Sequence, residues 1–101
     1  MSAPPRVVEA TPAFEQWYGG LRDAKARAKI AERIKRLAFG NLGDVKPVGE
    51  GVFEMRIDFG PGYRVYYTQR GRIIIMLLLG GDKKSQSSDV RRAQQLAREL
   101  N

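Results

Sequence analysis

The run "IIIMLLL", Ile73 to Leu79, limits the fold more than any other stretch of the chain. Seven consecutive apolar residues leave no polar side for water, as expected of a central strand covered on both faces. The run is far too short to cross a bilayer as a helix. Turn-forming and polar segments bound it, "RGR" before and "GGDKKSQSS" after.

Two further strands precede it. "VFEMRID" alternates, with Phe53, Met55 and Ile57 on one face and Glu54, Arg56 and Asp58 on the other. After the turn "FGPG", "YRVYYTQ" places Tyr63, Val65 and Tyr67 on one face and Arg64, Tyr66 and Thr68 on the other. Upstream, "RVVEA" reads as a short first strand behind a Pro-rich lead. Thr11-Pro12 then starts a helix, a cap followed by proline at the first helical position. Phe14, Trp17, Tyr18 and Leu21 follow at core-facing spacing, and Gly19-Gly20 ends the helix or bends the chain. Asp23 caps a longer helix with Ala26, Ile30, Ile34 and Leu37 inward and Gly40 as its stop. "GNLGDVKPVGEG" reads as a loop. Ser88 or Asp89 caps a last helix with Val90, Ala93, Leu96 and Leu100 inward. The expected fold is α+β: an antiparallel sheet packed against two N-terminal helices, with a C-terminal helix. Its opposite, less covered face would carry Arg56, Arg64 and Tyr66.

One domain, residues 1–101, accounts for this pattern. A hydrophobic content of 43% is too high for a disordered chain. With no cysteine there is no disulfide framework, zinc knuckle or thiol nucleophile, which fits a reducing cytoplasm. The N-terminus "MSAPPRVVEA" has no signal-peptide core, and no membrane partner is expected. Eighteen basic residues against eleven acidic give +7, a balance that points to a polyanion or an acidic protein partner. Between Arg22 and Arg36, seven basic residues and two acidic ones supply +5 of that charge. That helix face is either simply solvated or a surface that lies along phosphates.

Arginines on an open sheet face, rimmed by Lys46, Lys83 and Lys84, suit a phosphodiester, because the guanidinium fork matches phosphate oxygens. Cleaving RNA through its own 2′-hydroxyl needs a base, cations for the pentacoordinate phosphate and an acid for the leaving oxygen. The chain has no histidine, so a lysine with a depressed pKa or a carboxylate such as Glu54 would take the proton. No metal or other cofactor is called for. The plainer alternative is that Arg56 and Arg64 pair across strands with Glu54 and Asp58, with Tyr66 an ordinary half-buried tyrosine.

Several separated motifs agree in order with one family: "RIKRL.GN.GD.K", "GV.E.RID.GPGYRVYY" and "LLL.GGDK..Q..D". From Phe14 on, the chain resembles the addiction-module killer proteins of the RelE/HigB toxin superfamily. The resemblance implies a RelE-like fold and the toxin of a type II toxin–antitoxin system. Its activity would be metal-independent, ribosome-dependent cleavage of messenger RNA. The implied partners are mRNA, the ribosome and a cognate antitoxin, often a helix-turn-helix DNA-binding protein. The family pattern maps a catalytic role onto Arg64 in the "GYR" motif, Arg56 closing the preceding strand, and Lys83 and Lys84 after the last strand. Glu54 joins them as a candidate base, and Lys46, Tyr66, Arg22, Lys25 and Lys29 as candidate nucleic-acid contacts. The chain departs from RelE in having Val52 and Glu54 where RelE carries lysines, and Gln86 to Asp89 where RelE uses a tyrosine. ParE-type relatives share the fold but poison DNA gyrase. A gyrase inhibitor and a non-catalytic nucleic-acid-binding module are therefore the alternatives.

Overall fold

A computed structural model describes residues 5–100; residues 1–4 of the Pro-rich lead lie outside the described part. Eight elements follow in order: β1 (Val7–Ala10), α1 (Pro12–Gly19), α2 (Ala24–Ala38), β2 (Val45–Pro47), β3 (Val52–Ile57), β4 (Tyr63–Arg70), β5 (Ile74–Gly81) and α3 (Gln86–Glu99). The strands form one sheet in the order β1-β5-β4-β3-β2. β5 lies between β1 and β4 and is buried along most of its length, as its unbroken apolar run requires.

The sheet is mixed, which corrects the antiparallel expectation: β1 runs parallel to β5, with Val7 beside Ile74 and Ala10 beside Leu77. A second correction is β2, a three-residue edge strand in the stretch read as pure loop. It pairs antiparallel with β3, placing Lys46 opposite Glu54. With its proline and flanking glycines, β2 carries too little apolar pattern to stand out in sequence.

Both helix starts follow the local chemistry. The Thr11 side chain accepts the Phe14 N–H at 3.1 Å and donates to the Leu78 carbonyl at 2.7 Å, tying α1 to β5. Asp23 accepts from the Lys25 and Ala26 N–H groups. One core layer joins Phe14, Ile30 and Leu37 of these helices to Met55, Ile57, Val65, Tyr67, Ile75 and Leu77 of the sheet.

The other sheet face is not open. α3 lies across it, with Val90, Ala93, Leu96, Ala97 and Leu100 packed on Val52, Tyr66, Leu78 and Leu79. α3 begins two residues before Ser88. Asp82 accepts the backbone N–H groups of Lys84 and Ser85 and turns the chain into the helix, so the polar loop is shorter than expected.

Candidate functional site

The site forms where β3 and β4 meet the turn "FGPG" and the loop after β5. Arg56 and Arg64 are direct cross-strand neighbours, two cations on the same face of the sheet. Like charges so placed repel unless something anionic lies between or beside them. Glu54 meets part of that need: its carboxylate accepts from Arg56 Nε at 3.1 Å, along the strand rather than across it. Arg64 finds no carboxylate among the described residues. It is 9% exposed, its NH1 donates to the Gly62 carbonyl at 2.8 Å, and its Nε is buried with no hydrogen-bond partner among the described residues. Gly62 adopts φ 79°, and a Cβ there would stand 3.0 Å from Arg64 NH1 and 3.5 Å from Lys83 Cβ. The glycine therefore lets the turn close over the guanidinium.

Arg56, Arg64 and Lys83 line one cleft of about 270 Å³, together with Asp44, Ile57, Asp58 and Gly62. Three of the five residues proposed as catalytic therefore converge. Lys84 is exposed on the same loop. Glu54 lies behind the cleft rather than in it, with no exposed surface. Burial by itself would raise its carboxyl. Hydrogen bonds from Gln86, Arg56 and Tyr66 and the charge of Lys46 outweigh that and hold it below the ordinary value of 4.5. Its place behind the cleft makes it a hydrogen-bond acceptor for Arg56, Tyr66 and Gln86.

The nucleic-acid candidates separate. Tyr66 is completely buried under α3 and donates to Glu54 at 3.2 Å; burial and the neighbouring Glu54 charge raise its pKa. It supports the site from behind and offers no surface to a ligand. Lys46 lines a second cleft of about 400 Å³ between β3 and α3, with Glu54, Gln86, Ser87, Arg91 and Gln94 among its walls. Lys29 sits over the Phe59 ring at 5.3 Å and lines a groove of about 390 Å³ beside α2. That groove shares Ile57 and Asp58 with the arginine cleft, so the two adjoin. Arg22 and Lys25 are exposed at the start of α2.

Asp44, Asp58 and Gly62 were absent from the sequence-derived site. Asp44 and Asp58 flank strands without a motif of their own, and only the doubled glycine in "GPG" hinted at a tight approach. No three Asp, Glu, His or Cys side chains come together as a metal-ligand set among the described residues, and no helix among them is long and apolar enough to cross a membrane.

A small α+β protein with a cationic cleft at one end of a mixed sheet is matched by one family over residues 21–100. The chain belongs to the phage-derived Gp49-like proteins (DUF891), a toxin-like family related to the RelE/HigB-type toxins. It is also similar to an uncharacterized protein of Haemophilus influenzae, 48% identical over 93 residues, which span 92% of this chain and 94% of that protein.

Proposed function

We propose that this protein is the toxin of a type II toxin–antitoxin pair, with a RelE-like fold, acting in the cytoplasm as a metal-independent endoribonuclease on ribosome-bound mRNA. One observation carries the proposal: Arg56 and Arg64 stand side by side in a cleft with Lys83, and Arg64 is nearly buried with an unpartnered Nε. Two adjacent guanidiniums on the neighbouring interior strands β3 and β4 cost stability and are relieved by an anion with several acceptor oxygens. A phosphodiester is such an anion, and its pentacoordinate form carries more charge than its ground state.

In this scheme the RNA 2′-hydroxyl gives up its proton and its oxygen attacks the adjacent phosphorus. The bond to the 5′-oxygen breaks, that oxygen takes a proton from water to become a hydroxyl, and a 2′,3′-cyclic phosphate remains. Arg56 and Arg64 hold the non-bridging oxygens, and Lys83 faces the same charge from the loop after β5. The proton acceptor is a carboxylate of the cleft wall, Asp44 or Asp58, because these two line the cleft with the arginines whereas Glu54 lies behind it. A cognate antitoxin, an acidic or helix-turn-helix protein, covers the cationic surface and silences it.

Arg64→Ala tests this. Loss of a donor to developing charge costs about 2.7–4 kcal/mol of transition-state stabilisation, a drop of roughly 10²–10³ in cleavage rate. Arg64→Lys restores part of it, since a point charge cannot reproduce the fork. Primer extension on mRNA after induction, beside a melting curve of each variant, reads both effects. A folded Arg64→Ala protein that cuts RNA at the wild-type rate would overturn the assignment. Growth arrest with no cleavage, accompanied by gyrase poisoning, would instead favour the ParE-like alternative.

A further inference from the structure

We infer that Arg33, on the basic helix α2, is a positioning residue for Arg56 rather than a phosphate contact, and that Gly43 belongs to the same device. The inference rests on the nuclease reading above. Arg33 NH1 donates to the Arg56 backbone carbonyl at 2.7 Å, across the boundary between helix and sheet. The Arg56 N–H donates to the Asp44 carbonyl at 2.9 Å. Glu54 takes Nε of the Arg56 side chain at 3.1 Å. Arg56 is therefore held at its N–H, its carbonyl and its guanidinium root, and the terminal nitrogens of its fork are left for the cleft.

Gly43 makes room for this arrangement. It adopts φ 67°, and a Cβ there would sit 2.7 Å from Arg33 NH2 and 3.1 Å from the guanidinium carbon. Any side chain at 43 would push Arg33 off the Arg56 carbonyl. The neighbouring Asp44 is the residue whose carbonyl holds the Arg56 N–H, so the same displacement would reach both backbone anchors.

The energetics argue against a role in holding the fold. Arg33 NH2 is buried with no partner among the described residues, a state that costs stability. Ile30 and Leu37 already fix α2 to the sheet. An apolar residue of similar length at 33 would remove the orphaned donor while keeping the packing of the stem. Arg33 thus carries a penalty that stability alone does not explain, and among the described residues its side-chain hydrogen bond goes to a residue of the cleft.

The test is a double-mutant cycle on RNA cleavage by the purified full-length chain, with melting temperatures measured alongside. Arg33→Met should fold with an unchanged or higher melting temperature, lower kcat about tenfold and leave KM for RNA nearly unchanged. Arg33→Lys, which retains a donor, should recover part of kcat. In an Arg56→Ala background, Arg33→Met should have no further effect on kcat, since the backbone carbonyl that Arg33 holds remains but the guanidinium it positions is gone. Equal losses in both backgrounds would overturn the inference, as would wild-type kcat in folded Arg33→Met. Should Arg33→Met fail to fold, the inference is wrong about stability, and Gly43→Ala, compared in the two backgrounds, decides the positioning role in the same way. Absence of cleavage by the wild-type protein would instead remove the nuclease reading itself.

Discussion

At the scale of single residues, the site depends on Glu54, a carboxylate that lies behind the arginine cleft rather than in it. Glu54 accepts from Arg56, Tyr66 and Gln86, and so joins β3, β4 and α3 behind the cleft. Its native carboxyl titrates below 4.5, so its contribution to stability is complete above that value and is lost as pH falls through the native pKa. Melting temperatures of the wild type and Glu54→Gln between pH 3 and pH 7 should therefore converge at the acid end, with the wild type higher at neutral pH. The neutral gap should be about 1–3 kcal/mol, the scale of a buried charged hydrogen bond lost to one side. Parallel curves at all pH values would show that folding does not shift the Glu54 carboxyl. Sequence alternation placed Glu54 and Arg56 on one face, and their pairing along the strand was not visible from spacing, because a cross-strand partner was equally available.

At the scale of elements, the end of β5 shows how closely the two layers approach. The register with β4 shifts between Tyr66 and Tyr67, which pair with Leu79 and Leu77. Leu78 is the extra residue, and the Thr11 hydroxyl takes its carbonyl. The shift puts both Leu78 and Leu79 against α3 and changes which way the following glycines face. A Cβ on Gly80 would fall 2.0 Å from the Trp17 ring, and one on Gly81 2.0 Å from the Asp89 carboxylate. Gly80→Ala must displace an indole packed on Phe14 and Tyr63, at a cost of about 1–3 kcal/mol. Chemical denaturation should show that loss, and Trp17 fluorescence should shift in the native state. Unchanged stability would mean that the indole moves freely. "GG" after an apolar run looks like a loop, whereas here both glycines are strand residues that let a helix sit on each face.

At the scale of the molecule, the cationic surface of the cleft continues into the adjoining groove. Arg56, Arg64 and Lys83 line the cleft, and Lys29 lies in the adjoining groove. Binding of single-stranded RNA through these four cations should give a log–log salt slope of about −3. Filter binding of an uncleavable RNA, with the 2′-hydroxyls blocked, measures it between 50 and 200 mM salt. A slope near zero would remove a phosphate-binding role, and loss of the slope on Lys29→Ala alone would move the main contact to α2.

What the sequence determined by itself is the local part of this protein. Period-two alternation set the inward residues of β3 and β4, Thr11 and Asp23 set two helix starts, and the apolar run from Ile73 set the buried central strand. These features depend on neighbours within a few residues, so they are legible in order along the chain. Tertiary structure alone decided that β1 runs parallel to β5, that α3 closes the second sheet face over Tyr66, and that Arg33 reaches Arg56 across 23 residues. Each joins segments far apart in the chain, where periodicity gives the facing side but not the partner. The apolar stripe of α3 fits any apolar surface; only the cost of leaving Tyr66, Leu78 and Leu79 in water selects the one it covers.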